Sequence, residues 1–319
     1  MSKKTFLMIL VFVAVSVSFF AIEGNTIPIE SESFSKEQIK NIEIQVTYED
    51  VEIKETYGNE ILVEIYSNNR KTVPSISTFS DTLLIESKAH LFLRGTECDI
   101  KLYIPQNAKF SNVKITSASA DIEISKINAE NIKLHSASGD IDCKILDADE
   151  EINLESASGD IEIEEANSKE ITVKSNSGEI SLNRISSDTL TAQIIGSGEI
   201  DINDFYGEYV QVTSKSGDIE IERLDAEYFS LNSASGKISV DMKNIPAASS
   251  KINTTSGNVQ LFVPHNKGFN LTVSSNSGTF RDRINDNRFV PRSEFSQKYY
   301  GGGTDIFIRT TSGEILLEN

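Results

Sequence analysis

A short pattern recurs through most of this chain and limits the possible folds more than any other feature. The copy at Ser156–Ile163 reads SASGDIEI, with Gly159 as its reference position. Counting from that position, related copies recur at steps of 19 to 21 residues, with a last step of 35. A period this steady predicts one supersecondary unit stacked on itself. The reference positions are 120, 139, 159, 178, 198, 217, 236, 257, 278 and 313.

Apolar and polar residues alternate on both sides of each copy. Ile161 and Ile163 follow Gly159, and Ile152 and Leu154 precede it. Alternation with period two predicts two half-buried strands joined by a tight turn. A third apolar position, seven residues after the reference, predicts a corner. The sequence therefore predicts an all-β, single-stack parallel β-solenoid of about 20 residues per coil, with neighbouring coils about 4.8 Å apart.

A serine directly precedes the reference position in every copy. A catalytic serine would occur once, so a repeated serine predicts a ladder of hydroxyl groups that satisfies the amides of the turns. Glycine at the reference position is predicted to supply turn angles that other residues resist. The best-defined members of this predicted turn ladder are Ser138, Gly139, Ser158, Gly159, Ser177, Gly178, Ser216 and Gly217.

The first residues resemble an export signal. Lys3 and Lys4 precede an apolar run that extends to Ala21, which predicts a signal peptide or an N-terminal anchor over residues 1–21. We therefore expect an exported protein in the periplasm or at the cell surface. Residues 22–110 are predicted to form an N-terminal β region that starts and caps the solenoid, and residues 111–319 are predicted to hold the repeats.

Two cysteines in an exported chain raise the question of a disulfide. Cys143 takes an inward position that other copies fill with Ile, Leu or Val, and Cys98 also stands on an apolar side of its segment. A bridge would need their two coils to be adjacent. The sequence leaves the pairing of Cys98 with Cys143 open.

The charge distribution argues against several classes of function. The net charge is −18, which disfavours nucleic acid as a partner. Acidic residues fill the outward positions after most turns, which predicts a solvated acidic face and leaves calcium on that face as a minor alternative. Three dispersed histidines and the absence of known catalytic motifs predict a protein with no enzymatic activity, no catalytic residues, no metal and no cofactor.

The period breaks between residues 280 and 304. This excursion holds Arg281, Arg283, Arg288 and Arg292, which make it the one locally basic stretch of an acidic chain. It is predicted either to cover the C-terminal coil or to dock a partner, with these four arginines as the candidate binding residues.

Three parts of the sequence resemble the family called putative adhesins, which are bacterial β-solenoid domains of unknown function. They are the repeated SASGDIEI, the IPQNA at Ile104–Ala108 and the YGGG at Tyr300–Gly303. The resemblance covers roughly residues 40–319. It implies an exported, right-handed parallel β-helix on the cell envelope, and it supplies no catalytic residues.

Three hypotheses for the function follow. The leading one is a non-enzymatic envelope protein, an adhesin-like solenoid that binds or spaces partners, with an unidentified protein or glycan of the envelope as the partner. The second is a carbohydrate-binding or carbohydrate-active β-helix. The third is an envelope stress or scaffold module that associates with itself. Contact with the membrane is expected only through residues 1–21.

Overall fold

The computed structural model describes residues 27–87, 97–291 and 294–319, and these residues form 23 β-strands. The predicted signal peptide or anchor and Arg292 lie outside the described residues. Within the described ranges, no helix has the length and apolar character needed to cross a membrane.

The first eight strands form the N-terminal part of the stack. Each one carries residues with high strand propensity, and most alternate buried and exposed side chains. They are β1 Glu30–Ser35, β2 Asn41–Val46, β3 Asp50–Thr56, β4 Glu60–Ser67, β5 Ser75–Phe79, β6 Thr82–Glu86, β7 Cys98–Pro105 and β8 Phe110–Ser117.

Six long strands of 15 or 16 residues form the middle of the stack, and each is one complete coil. They pair in parallel with the coil before and the coil after. They are β9 Ile122–Ser136, β10 Ile141–Ser156, β11 Ile161–Ser175, β12 Ile180–Ile194, β13 Ile200–Ser214 and β14 Ile219–Ser233. This long run of parallel strands at about 20-residue spacing confirms the all-β architecture expected from the repeat.

The pairing between neighbouring long strands is interrupted at two places, so a coil has three paired stretches. Between β11 and β12 the partners include Ile161 with Ile180, Glu165 with Arg184, and Ile171 with Leu190. We call these stretches the first, second and third sides of a coil; in β11 they are residues 161–163, 165–168 and 170–175. The repeat predicted two strands and a corner. The structure differs because the residues of the corner also pair with their neighbours.

The core runs along the whole stack as columns of similar apolar side chains. On the first side, the inward residues of successive coils are at most 1% exposed. Burying one such side chain fully contributes about 1.5–3 kcal/mol, and in a solenoid this gain comes from the neighbouring coil. This column consists of Ile122, Ile141, Ile161, Ile180, Ile200, Ile219 and Ile238.

The first coil of the chain does not lie at the end of the stack. Strand β2 pairs in parallel with β6 on one side and β8 on the other, and β3 lies in the same way between β7 and β9. The chain therefore leaves this coil, adds β4 to β7 outside it, and returns to continue the stack at β8. Strands β1 and β5 pair antiparallel with β4 and β6 at this end.

Nine shorter strands complete the C-terminal part. They continue the alternation of buried and exposed residues, but loops now separate the sides of each coil. They are β15 Ile238–Met242, β16 Ser250–Thr254, β17 Val259–Phe262, β18 Phe269–Ser275, β19 Phe280–Asp282, β20 Asn287–Phe289, β21 Phe295–Tyr299, β22 Thr304–Thr310 and β23 Ile315–Glu318.

The last coil of the sequence is also placed one coil inside the stack. Strand β22 pairs in parallel with β16 and with β18, and β23 pairs in parallel with β17 and with β19. The excursion supplies β20 and β21, which pair antiparallel with β19 and β18 on the far side of that coil. The final coil of the sequence is therefore not the final coil of the stack.

Candidate binding groove

The turns carry a hydroxyl ladder, but its serines differ from the predicted ones. The N–H groups of Gly139, Gly159, Gly178 and Gly217 donate to the hydroxyl three residues earlier, on Ser136, Ser156, Ser175 and Ser214, at 2.8–2.9 Å. Those four serines are buried, because they take the last inward position of the strand under the turn. The predicted serines at the other register, Ser138, Ser158, Ser177 and Ser216, are exposed.

Glycine occupies the reference position because successive coils approach closely there. A Cβ atom on Gly159 would lie 2.1 Å from the carbonyl oxygen of Gly139, and one on Gly178 would lie 2.1 Å from that of Gly159. Among the described residues, the glycines with positive φ are Gly301, Gly302 and Gly313, and of these Gly313 alone stands at a reference position. The predicted reason for glycine, unusual turn angles, is therefore replaced by the contact between coils.

The first acidic residue after several of the turns has a structural role that was not predicted from the sequence. Oδ1 of Asp121 accepts the N–H of Asp140 at 2.9 Å, and Oδ1 of Asp140 accepts that of Asp160 at 2.8 Å. The same bond joins Asp50 to the N–H of Asp121 and Asp160 to the N–H of Glu179. These carboxylates satisfy backbone donors that the tight turn leaves without a strand partner.

The next outward column of acids belongs to the predicted acidic face. Glu123, Asp142 and Glu162 are register partners on successive coils. Farther along, partial burial raises the pKa of Asp201, and the nearby Glu179, Glu199 and other acids add to the effect. In the described part of the chain, no group of three or more His, Cys, Asp or Glu residues could hold a metal ion.

Three of the four candidate arginines lie among the described residues, and their surroundings differ. Arg281 and Arg288 are exposed register partners on β19 and β20, so they stand directly opposite each other. Arg283 instead forms an ion pair with Glu318, and Arg292 lies outside the described residues.

Both cysteines are free and buried within the described structure. Cys98 lies in β7 and Cys143 in β10, and the coils formed by β3 and β9 separate those two strands. The structure therefore gives no disulfide between Cys98 and Cys143.

A long concave surface lies along the second side of the coils. It has a volume of about 690 Å³ and crosses successive coils from Lys126 in β9 to Lys243 after β15. We call it the polar groove. Its charged side chains are Lys126, Asp147, Glu165, Arg184, Asp204, Arg223, Asp225 and Lys243.

The polar groove is balanced in charge, although the whole chain is strongly acidic. Four of its charged side chains are cations and four are anions, whereas the full chain has a net charge of −18. It is therefore a local surface where the acidic character of the protein is cancelled. The acidic first side has a different electrostatic character.

Most of the charges in the groove are paired between neighbouring coils. Arg184 Nη2 lies 3.2 Å from Glu165 Oε2, and Arg223 donates through Nε and Nη2 to the two carboxylate oxygens of Asp204. The hydrogen bonds from Arg223 hold the pKa of Asp204 below its usual range. Exposed pairs of this kind contribute little to stability. Their clear effect is to fix donors and acceptors at defined positions along the groove.

Polar and aromatic groups line the other edge of the groove. Asn167 donates to Asp147 at 3.1 Å, and Asn244 donates to Asp225 at 3.0 Å. Between these pairs stands Tyr206, whose side chain is 67% exposed. An exposed tyrosine beside fixed polar groups is typical of a binding surface, because it offers an apolar ring with a polar tip.

The groove was not predicted, although the sequence contains a signal for it. The residue six positions after the reference is Glu165, Arg184, Asp204 and Arg223 in four consecutive copies, so its charge alternates. This position was assigned to a corner, where no paired column was expected. Once the corner is recognised as the second side of the coil, these charges form one column and their alternation becomes visible.

The family model Toastrack DUF4097 matches residues 39–204 and 147–318. No curated protein matches the sequence.

Several solved structures resemble this chain at low identity. A putative lipid binding protein from Parabacteroides distasonis ATCC 8503 is 17% identical, with a TM-score of 0.44 and coverage of 93% of this chain and 98% of that one. A putative adhesin from the same organism is 14% identical, with a TM-score of 0.39 and coverage of 73% and 96%. Another putative adhesin, from Bacteroides fragilis NCTC 9343, is 13% identical, with a TM-score of 0.37 and coverage of 90% and 96%.

Together the two matched ranges of the family model extend over the regular coils and both ends of the stack. The chain belongs to the Toastrack DUF4097 family.

Proposed function

We propose that this chain is a non-enzymatic, exported envelope protein that works as an adhesin-like binding solenoid. The observation that carries the proposal is the polar groove, a charge-balanced surface whose paired side chains are held at regular spacing by the stack. Fixed donors and acceptors of this kind suit binding, because little side-chain freedom remains to be lost when a partner arrives. The charged and apolar segments at residues 1–21 support export.

The groove also explains how a repeat protein can bind without a deep pocket. Its side chains come from successive coils, so the contact surface extends along the stack rather than into it. Solenoids use extended surfaces of this kind for partners that are themselves long. The expected partner is an envelope glycan or protein with an elongated shape.

A capture experiment tests the proposal. The purified protein is immobilised and exposed to an envelope extract, beside a groove variant that carries Arg184→Ala and Arg223→Ala. A matched control carries Arg281→Ala and Arg288→Ala, which removes two exposed arginines elsewhere in the stack. We expect the groove variant alone to lose the captured partner. Capture that survives in the groove variant would refute the groove as the binding surface.

A second candidate is a scaffold that associates with itself through the C-terminal end. Arg281 and Arg288 stand opposite each other, and like charges in that position are unfavourable. Within the described ranges neither has an ion pair with an acid, so an acidic surface of a second copy would relieve the repulsion. Loss of capture, or of self-association in sedimentation experiments, in the Arg281→Ala and Arg288→Ala variant would favour this role.

A further inference from the structure

We infer that the polar groove binds a neutral linear glycan that lies along the stack. The inference rests on the proposed function and deepens it, because it names the class of ligand for the same surface. Three independent features support it: the balance of charge, the repeat distance of the charged pairs, and the position of an exposed tyrosine.

The charge balance selects a neutral ligand. A polyanion would be repelled by a protein of net charge −18. A polycation would be drawn to the acidic first side rather than to the groove, where cations and anions are equal in number. A neutral ligand rich in hydroxyl groups suffers neither effect, and it can use both the acidic and the basic side chains as hydrogen-bond partners.

The spacing of the charged pairs selects a glycan over an extended peptide. Carboxylate and guanidinium alternate on successive coils from Glu165 to Arg223, so like groups recur at every second coil. Two coils span about 9.6 Å, whereas the side chains on one side of an extended peptide recur every 6.8 Å or so. In an extended β-linked glycan the same hydroxyls return to the same side at every second sugar. The length of two sugars is close to the distance that two coils span.

The side chains of the groove have the chemistry that sugars require. A guanidinium donates through a planar fork, and a carboxylate accepts through two oxygens, so each pair can serve neighbouring hydroxyls of one ring. Because Glu165 holds Arg184 and Asp204 holds Arg223, these groups are positioned before the ligand binds. The ring of Tyr206 is exposed within the groove and can cover the apolar C–H face of a sugar.

The direct test is a binding series with neutral oligomers of β-1,4-linked glucose and of N-acetylglucosamine, two to eight sugars long. Calorimetry with the full chain should show affinity rising at least tenfold between two and six sugars, because each added pair of sugars reaches another pair of coils. Affinity should change little with salt, since the ligand carries no charge. Affinity that is independent of length, or that collapses with salt, would overturn the inference.

Two variants separate the groove from the rest of the surface. Tyr206→Ala should lower the affinity at least tenfold. Tyr209→Ala removes a tyrosine that is 50% exposed but lies beyond the groove, and it should change affinity less than twofold. The double variant Glu165→Arg with Arg184→Glu keeps the charges of that pair and breaks the two-coil alternation. The affinity of this variant should also fall at least tenfold, with only a small decrease in melting temperature, because the new glutamate lies opposite Asp204 at an exposed position.

The outcomes distinguish the inference from the proposed function. If no oligomer binds while the variant with Arg184→Ala and Arg223→Ala still loses its captured envelope partner, the glycan inference is wrong and the binding role stands. The same conclusion follows if a peptide occupies the groove and is released by Tyr206→Ala. If the groove variants change neither capture nor oligomer binding, both are wrong.

Discussion

Oδ1 of Asp140 accepts the backbone N–H of Asp160 on the next coil at 2.8 Å. This single bond joins the side chain of one repeat to the main chain of the following repeat, outside the apolar core. The same arrangement links Asp121 to Asp140. The aspartate that follows the turn glycine is therefore part of the structure that holds the coils together, in addition to giving the first side its acidic character.

Removing this carboxylate should destabilise the stack. We expect Asp140→Ala to lower the free energy of unfolding by about 1 kcal/mol, because the N–H of Asp160 loses its charged acceptor in a setting that water can partly reach. Urea unfolding measures the change. Asp142→Ala is the matched control, since it removes the acid two residues further along the chain, in β10. Its removal relieves repulsion in the column with Glu123 and Glu162, so it should be neutral or slightly stabilising.

The position of the hydroxyl ladder can be tested with two serines of one turn. Ser156 is buried and accepts the N–H of Gly159 at 2.8 Å, whereas Ser158 is exposed. Ser156→Ala should cost about 1–3 kcal/mol, because it leaves a buried amide without an acceptor. Ser158→Ala should change stability by less than about 0.5 kcal/mol. Equal losses in thermal melting would contradict the assignment of the ladder to Ser156.

The contact between coils makes a specific prediction for the turn glycine. A Cβ atom on Gly159 would lie 2.1 Å from the carbonyl oxygen of Gly139, so Gly159→Ala must push two coils apart. We expect a loss of about 3 kcal/mol, measured by urea unfolding. In Gly58→Ala the new atom meets nothing closer than 3.7 Å, so that variant should retain its stability. A tolerated Gly159→Ala would show that the coils can separate at low cost.

The thiol of Cys98 should be unreactive in the folded protein. Burial, with a smaller contribution from the Glu49 carboxylate, raises the pKa of Cys98 to about 12. In a Cys143→Ala background, thiol labelling at pH 8 should therefore be slow until urea unfolds the chain. The pKa of Cys98 is higher in the folded than in the unfolded chain, so its thiol contributes fully to the free energy of unfolding below about pH 9. This contribution declines as the pH rises towards 12. Fast labelling of the native protein at pH 8 would contradict the burial of this thiol.

The sequence was most informative about the stack itself. The steady step between copies and the alternation around Ile161 and Ile163 are local signals, and the structure shows the parallel strands that they predict. The sequence analysis assigned the ladder to Ser158, whereas the hydroxyl that accepts the turn amide is that of Ser156, and both serines are close to the turn in the chain. Only the direction of the side chains decides which hydroxyl lies under the amide.

The order of coils at the two ends of the stack could not be read from the sequence. The last coil, β22 and β23, pairs with β16 and β17 although β18 and β19 come between them in the chain. All of these segments have similar alternation, so no local pattern distinguishes one neighbour from another. The polar groove was missed for a related reason, because its charges became one column only after the corner was found to pair between coils.

The position of the last coil affects how the protein is made. Among the described strands, β18 and β19 have no direct pairing with β16 and β17, and β22 and β23 join them to the stack. When synthesis has reached residue 303, β18 and β19 have been made, but β22 and β23, the parallel strands with which they pair, have not. Residues 304–319 hold the two strands that connect β18 and β19 to the rest of the stack. A nonsense mutation that removes them would leave the preceding forty residues without parallel strands to pair with.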